Sequence, residues 1–469
     1  MFTNLDFLEV GNEFPPVNDA YKARQENFIN GRLLYNGELE KVYQDVWDKL
    51  KTRYSNKGLE QVMVKINLFR PLTETFKLLA FQNEPEIRVG EGDNIKDIAE
   101  YYDERKAINL LKTAFISSHA QGTGVFKVYK RPDEEYDISL ICPENWIPIY
   151  YDDDLNTIKC HVVSQVYEVD NKTSFLGISR NTKTIRVYVE IHYKGYYDQR
   201  TLELETDGKT IGKIISRQDN IKTGIDDFAV FPFDYGIPSW SSYGVSAYND
   251  LIPIVEEIIA RYSNQSAILD KHADPTITAS PEVFERDKNT GEWVLPTGNA
   301  IPMSKDGAIP QYITWDGNLT ASFKQIEDMF NLYYMISGTN PQLFGQDIAG
   351  NLSGEALQKI LIVPLAKTKE MLKSLEDAGE KAFNALLQLK GVKEKAYISF
   401  NAANFLSATE LANNILQQKQ GGLISTQSAL EVIHPDWSDN DLKDELALLN
   451  EEEKKQSMID LESIYPKDE

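Results

Sequence analysis

The residues best set to do chemistry are the acids of IYYDDDL, Ile149–Leu155. A Tyr-x-Asp-Asp hairpin is how reverse transcriptases offer paired carboxylates to Mg²⁺ for two-metal phosphoryl transfer. Asp152 and Asp153 would be those carboxylates. That chemistry also needs a third Asp on an upstream strand and basic walls for a template. Upstream of Tyr150 the sequence is mostly helical, and the chain's charge has the wrong sign. Asp also starts turns well, so an acidic β-turn after an apolar strand accounts for the same residues.

Other catalytic constellations are missing. His119, His161, His192, His272 and His434 stand apart, none within four residues of another, and no paired-Cys zinc spacing exists. There is no Gly-x-x-x-x-Gly-Lys-Ser/Thr phosphate loop and no Gly-x-Ser-x-Gly nucleophile turn. Cys142 and Cys160 form no disulfide framework. No catalytic residue, metal or cofactor is expected.

The composition supports folded domains. The chain has 469 residues, 42% hydrophobic and 11% aromatic, enough for several cores. It has 72 acidic against 49 basic residues, a net of −23. Tight binding of nucleic acid needs basic surface, so any meeting with DNA here is without a strong grip. No apolar run reaches the roughly eighteen residues of a membrane span. The first residues, MFTNLDFLEVGNEFPP, carry acids where a secretion signal carries bases, so a cytosolic product is expected.

The elements follow from periodicity. Residues 18–83 read as helical, with Pro71 interrupting an ambiguous apolar stretch. In NIKDIAEYYDERKAINLLKTAFISSHA, residues Ile95, Ile98, Tyr102, Ala107, Leu111 and Phe115 recur mostly at three and four, predicting one helix capped by Asn94. From Gly122 to Gly236 the chain is rich in Val, Ile, Thr and Tyr with short turns, which predicts an antiparallel meander. A helix follows over 251–272, capped by Asp250, with Val255, Ile258, Ile259, Tyr262 and Leu269 on its apolar stripe. Residues 274–315 form a β island with strands expected at 276–279, 293–296 and 310–315. Next comes a helix whose stripe is Phe323, Ile326, Phe330, Tyr333 and Tyr334. A long loop, SGTNPQLFGQDIAGN, leads to a third helix that Ser353 caps and Pro364 kinks. The tail is helical, with breaks at Gly421-Gly422 and His434-Pro435 and a Ser cap at 425, and is strongly acidic from Asp436 onward.

This order resembles the portal proteins of tailed bacteriophages, the head-to-tail connectors of long-tailed phages of Gram-positive hosts. The resemblance is carried by YGVSAYNDLIPIVEEIIARYSNQSAILDKHADPTI, Tyr243–Ile277, and SGTNPQLFGQDIAGNLSGEALQKILIVPLAKTKE, Ser337–Glu370, and covers about residues 60–400. PENWIPIYYDDD, Pro143–Asp154, is similar to that family's wing, which accounts for the Asp run without metal. The resemblance implies an α+β, portal-like fold: a helical and β wing over 1–240, a stem helix over 241–273 and a clip over 274–315. It continues with a second stem helix over 316–337, a tunnel loop over 338–352, a long wing helix and strand over 353–402, and an acidic helical crown over 403–469.

The same resemblance implies a ring of about twelve subunits at one capsid vertex. Double-stranded DNA would pass through it at packaging and ejection without tight binding. Thr339, Asn340, Gln342, Gln346, Asp347, Gly350, Asn351 and Ser353 would face DNA, with Gly350 supplying backbone freedom. Glu282, Arg286, Trp293, Tyr312 and Trp315 would serve the clip, where terminase and then the head–tail adaptor dock. Capsid or scaffold protein would meet the wing. The virion, assembled in the host cytoplasm, is the implied location; a membrane is not. The alternatives are another virion shell protein without DNA passage, and a Mg²⁺-dependent nucleotidyl-transfer enzyme using Asp152 and Asp153.

Overall fold

The computed structural model describes residues 2–55, 64–92, 95–175, 178–237, 241–273, 320–345, 354–400, 408–434, 437 and 441–451, and four two-residue strands between 277 and 312. The chain divides into two compact units. The first is Met1–Phe344 with Pro364–Ala402, and the second is Gly345–Val363 with Ala403–Glu469.

The helical start is α1 (Asp19–Asn36), α2 (Leu39–Val42), α3 (Gln44–Ser55) and α4 (Phe69–Ala80). Pro71 lies in the first turn of α4, where its missing N–H costs nothing. Short strands β1 (Glu86–Val89) and β2 (Lys96–Asp97) follow, then α5 (Glu104–Gln121). The single helix expected from Asn94 is therefore corrected. Ile98 sits in a 3₁₀ turn, and the helix starts after Asp103, whose side chain accepts from Lys106 N–H at 3.1 Å. Ile98, Tyr102, Ala107, Leu111 and Phe115 are buried all the same, because a strand and turn can face one core as a helix can, while Ile95 is exposed.

The β region is β3 (Thr123–Lys130), β4 (Tyr136–Ile141), β5 (Trp146–Tyr150), β6 (Ile158–Phe175), β7 (Ile178–His192), β8 (Tyr196–Leu204), β9 (Ile211–Lys222) and β10 (Val230–Asp234). Strands β5 to β9 form an antiparallel five-stranded sheet in chain order, as the alternating pattern predicts. Strands β10, β3 and β4 make a separate sheet. One face of the meander, with Ile147, Val162, Val189 and Leu202, is covered by Phe7, Leu8 and Phe14.

Helix α6 (Ile252–Ala273) continues straight from a 3₁₀ turn, Asn249–Leu251. Asp250 lies inside that turn and is not the expected cap; Ser246 Oγ accepts from Tyr248 N–H at 3.1 Å instead. In the island, β11 (Ile277–Thr278) pairs with β14 (Gln311–Tyr312), and β12 (Glu285–Arg286), not foreseen, pairs with β13 (Trp293–Val294). Helix α7 (Thr320–Ser337) packs on α6, with the Tyr262 and Phe330 rings 6.3 Å apart. Helix α8 (Gly354–Leu389) runs through Pro364, and Thr368 Oγ1 donates to the Pro364 carbonyl at 2.8 Å. Strand β15 (Ala396–Ser399) returns to pair with β1.

The main core of the first unit joins α4, α5, α6, α7 and α8 through Phe69, Phe115, Ile259, Tyr333 and Leu375. Burial fades along the α6–α7 pair. Ile258, Ile259, Ile326 and Tyr333 are buried, but Leu269 is 47% and Phe323 is 54% exposed, against the expected stripe. Leu269 lies near the end of α6 and Phe323 near the start of α7, and Leu332 and Met335 farther along α7 are exposed as well. The second unit holds α9 (Ala408–Gln420), which closes at Gly422, and α10 (Thr426–Ile433), capped by Ser425 accepting from Ser428 N–H. Residues 441–451 are also helical. Ser353, an expected cap, lies outside the described residues. No helix among the described residues is long and apolar enough to cross a membrane.

Candidate functional site

The long loop begins at a built corner. The last turn of α7 closes with Thr339 N–H donating to Tyr334 O at 3.0 Å and Gly338 N–H to Met335 O at 3.3 Å. This is the Schellman closure, which needs a left-handed residue after the helix. Gly338 supplies it at φ +69°. Lys367 of α8 sets Nζ 3.0 Å from Ser337 O and 3.3 Å from Ile336 O. A cation thus sits on carbonyls that have no helical partner, at the negative end of the helix dipole. A Cβ on residue 338 would lie 2.7 Å from Lys367 Cε and Nζ, so a larger residue there would strain the backbone and push the Lys367 side chain from its place.

Beyond this closure the chain folds back. Ser337 Oγ donates to Tyr334 O at 3.1 Å and shares a 2.6 Å hydrogen bond with Thr339 Oγ1. Asn340 Oδ1 accepts from Leu343 N–H at 3.1 Å, capping a 3₁₀ turn at Pro341–Phe344. Phe344 returns its ring to Tyr334, centroids 5.8 Å apart. The loop from Gly338 to Phe344 is thus a local structure that starts from a fixed helix end.

A cavity of about 220 Å³ adjoins this corner, lined by Phe76, His119, Asp250, Ser337, Lys367 and Glu370 among others. Burial lowers the Lys367 ammonium, against the opposing pull of Asp250 and Glu370. Burial likewise pushes His119 down to about 3, with the Lys367 charge adding to it. His119 is therefore a neutral ring near pH 7, and its Nδ1 lies 2.8 Å from Thr73 Oγ1. Thr73 and His119 are both buried, and the Thr73 hydroxyl is shared with the Tyr248 hydroxyl. The arrangement positions a loop.

Thr339, Asn340 and Gln342 lie in this corner and are half-buried. Gln346, Asp347, Gly350, Asn351 and Ser353 lie outside the described residues. In the island, exposed Arg286 is the cross-strand neighbour of Trp293, and Tyr312 is that of Ile277. Glu282 and Trp315 lie outside the described residues. The Asp run makes a turn. Asp154 accepts from Asn156 N–H at 3.0 Å and bonds Thr157 Oγ1, while Asp152 and Asp153 are exposed. Among the described residues no three His, Cys, Asp or Glu groups could hold a metal ion.

Sequence reasoning missed Lys367, which lies thirty positions from Ser337 and carries no local signal. It also missed a buried cluster in the meander. His161 and His192 are cross-strand neighbours. His192 Nε2 lies 2.9 Å from Glu190 Oε2, Lys127 bonds the same carboxylate, and Trp146 Nε1–H donates to His161 Nδ1 at 3.0 Å. Only knowledge of the strand register could have brought the two histidines together.

The subunit is α+β, and its α6–α7 pair carries large apolar side chains that stay exposed, among them Leu269 and Phe323. The chain belongs to the family described as phage portal protein, SPP1 Gp6-like, whose profile matches residues 16–458. Proteins of that family are structural and not enzymatic, so this is a virion component. No curated protein matches the chain. Among solved structures, a chain of the neck of an empty gene transfer agent particle, computed with C6 symmetry, is 10% identical with a TM-score of 0.44, covering 78% of this chain and 88% of that one. A chain of the native particle's neck, computed with C12 symmetry, is 11% identical at 0.39, covering 78% and 90%. One from the native virion is 10% identical at 0.39, covering 78% and 88%.

Proposed function

We propose that copies of this chain close into a ring of about twelve at one capsid vertex, the channel through which double-stranded DNA is packaged and ejected. The observation that carries the ring is the incomplete burial of the helical pair. Leu269, Phe323, Leu332 and Met335 are 47%, 54%, 45% and 68% exposed on α6 and α7. Large apolar residues gathered on one helical pair favour a second copy over water. Residues 241–273 and 316–337 are the stem in this reading, and 274–315 the clip.

The loop over 338–352 then rings the channel. Its clasped start at Gly338 gives it a fixed root, and Thr339, Asn340 and Gln342 offer uncharged polar groups to passing phosphates. With −23 per subunit, DNA has little electrostatic reason to stick. The clip is the docking place for terminase and then the head–tail adaptor, and the wing for capsid or scaffold protein. Assembly takes place in the host cytoplasm.

Electron micrographs of the purified protein test the reading. Closed rings with an axial hole are expected. A compact monomer at all concentrations, with no ring in particles from infected cells, would overturn it. Deleting 280–310 should abolish terminase docking while the meander stays folded; undiminished docking would remove the clip assignment.

A further inference from the structure

The β6–β7 hairpin is longer than the sheet that holds it. Strand β5 pairs with β6 only as far as Val163, and β8 pairs with β7 only as far as Arg186. The two strands go on pairing with each other, from Glu168↔Ile185 to Phe175↔Ile178, eight further register pairs. At about 3.3 Å per residue that is a ribbon of roughly 26 Å. Neither of its outer edges has a strand partner among the described residues. At its base Val166 is 55% and Tyr167 is 39% exposed. Further out, Lys183 and Glu168 pair at 2.8 Å with both side chains mostly in water.

Such a ribbon is unfavourable in isolation. A two-stranded hairpin is marginally stable at best, and unpaired edges invite another chain. Its charge says which chain. Residues 168–185 carry Lys172, Arg180 and Lys183 against Glu168 and Asp170, a net of +1 in a chain of −23. Every other part of the molecule, taken together, is acidic, so a neighbouring copy offers the complementary surface.

We infer that the ribbon is an intersubunit arm, lying on an acidic face of a second copy whose backbone takes up its open edges. This rests on the ring reading, which it deepens by naming a joint outside the stem. The shell protein is the competing occupant, and the test separates the two.

Amide hydrogen exchange is measured on residues 164–175 in purified rings and in unassembled subunits, with the ring verified by micrograph. Exchange at least about tenfold slower in the rings is expected. Rings that exchange there as fast as free subunits would overturn the arm and leave the ring standing. Slowing that appears only once rings sit in capsids would give the arm to the shell and overturn it equally. Absence of any ring would sink both, and is seen in the micrograph alone. A second variant replaces 168–185 by Asn-Gly, keeping Arg186 of β7 paired with Glu203 of β8. Its assembly should need about tenfold more protein; unchanged assembly would count against the arm.

Discussion

Lys367 Nζ lies 3.0 Å from the carbonyl oxygen of Ser337, so a side chain of α8 holds the C-terminus of α7 at the point where the loop begins. Lys367→Met keeps most of the side chain's aliphatic packing and removes the donor. It should cost about 1–2 kcal/mol, the scale of a partly solvated charge-assisted bond. A lower urea midpoint with an unchanged slope is the expected result. A midpoint equal to the parent's would show that water replaces the clasp without loss.

Gly338→Ala should cost more than its backbone strain. At φ +69° the strain alone is on the order of 1 kcal/mol. The new Cβ also meets Lys367, so the two positions are coupled. In a double-mutant cycle with Lys367→Met, a coupling of about 0.5 kcal/mol or more is expected. Strict additivity would refute the contact.

Acid should weaken the fold in two stages. Burial pushes His119 and His161 each down to about 3 from 6.5, with the charges of Lys367 and His192 adding respectively. The unfolded chain takes up these protons first. Their stabilisation is therefore full above pH 6.5 and is lost as pH falls toward 3, by about 1.4 kcal/mol per pH unit for each ring. Glu190 behaves differently. Burial raises its carboxyl, but the hydrogen bond from His192 and the Lys127 charge outweigh burial and hold it at about 2. Its share is lost only as pH falls below 4.5. Urea titrations at about pH 7, 6 and 5 should show a falling midpoint. His161→Phe should flatten that fall by one ring's share, and a slope equal to the parent's would remove His161 from the account.

The apolar residues left in water by the single chain should matter for assembly alone. Leu269→Ser and Phe323→Ser should change subunit stability by no more than about 0.5 kcal/mol. Burying each parent side chain contributes about 1.5–3 kcal/mol, so ring formation should fall steeply. Sedimentation velocity reads both species. A destabilised subunit with intact rings would reverse the assignment of this face.

Asp152→Asn with Asp153→Asn should leave folding and assembly unchanged, because both side chains are exposed. Asp154→Ala should be the costly change in this run, since Asp154 closes the turn onto Asn156 and Thr157. The expected effect is a lower melting temperature than the parent's, from the lost turn hydrogen bonds. Thermal melts rank the variants, and the reverse ranking would return the acids to chemistry.

What the sequence determined by itself was local. Period-two alternation marked the meander, and three-and-four spacing marked α6, α7 and α8, because each pattern is written within a few residues of where it acts. Ser425 was legible as a cap for the same reason, as was the family, through the order of these elements. Asn94 and Asp250 failed as caps because a polar residue before an apolar stripe is also common before a turn. The tertiary structure decided what distance conceals. His161 faces His192 only because β6 and β7 pair in one register, and a slip of one residue would turn every side chain to the other face. Lys367 reaches Ser337 only because α8 packs beside the end of α7. Leu269 and Phe323 carry the spacing of a core stripe and are nevertheless exposed. Periodicity states that a face is apolar; whether and by what it is covered is fixed by packing, which a local pattern does not contain.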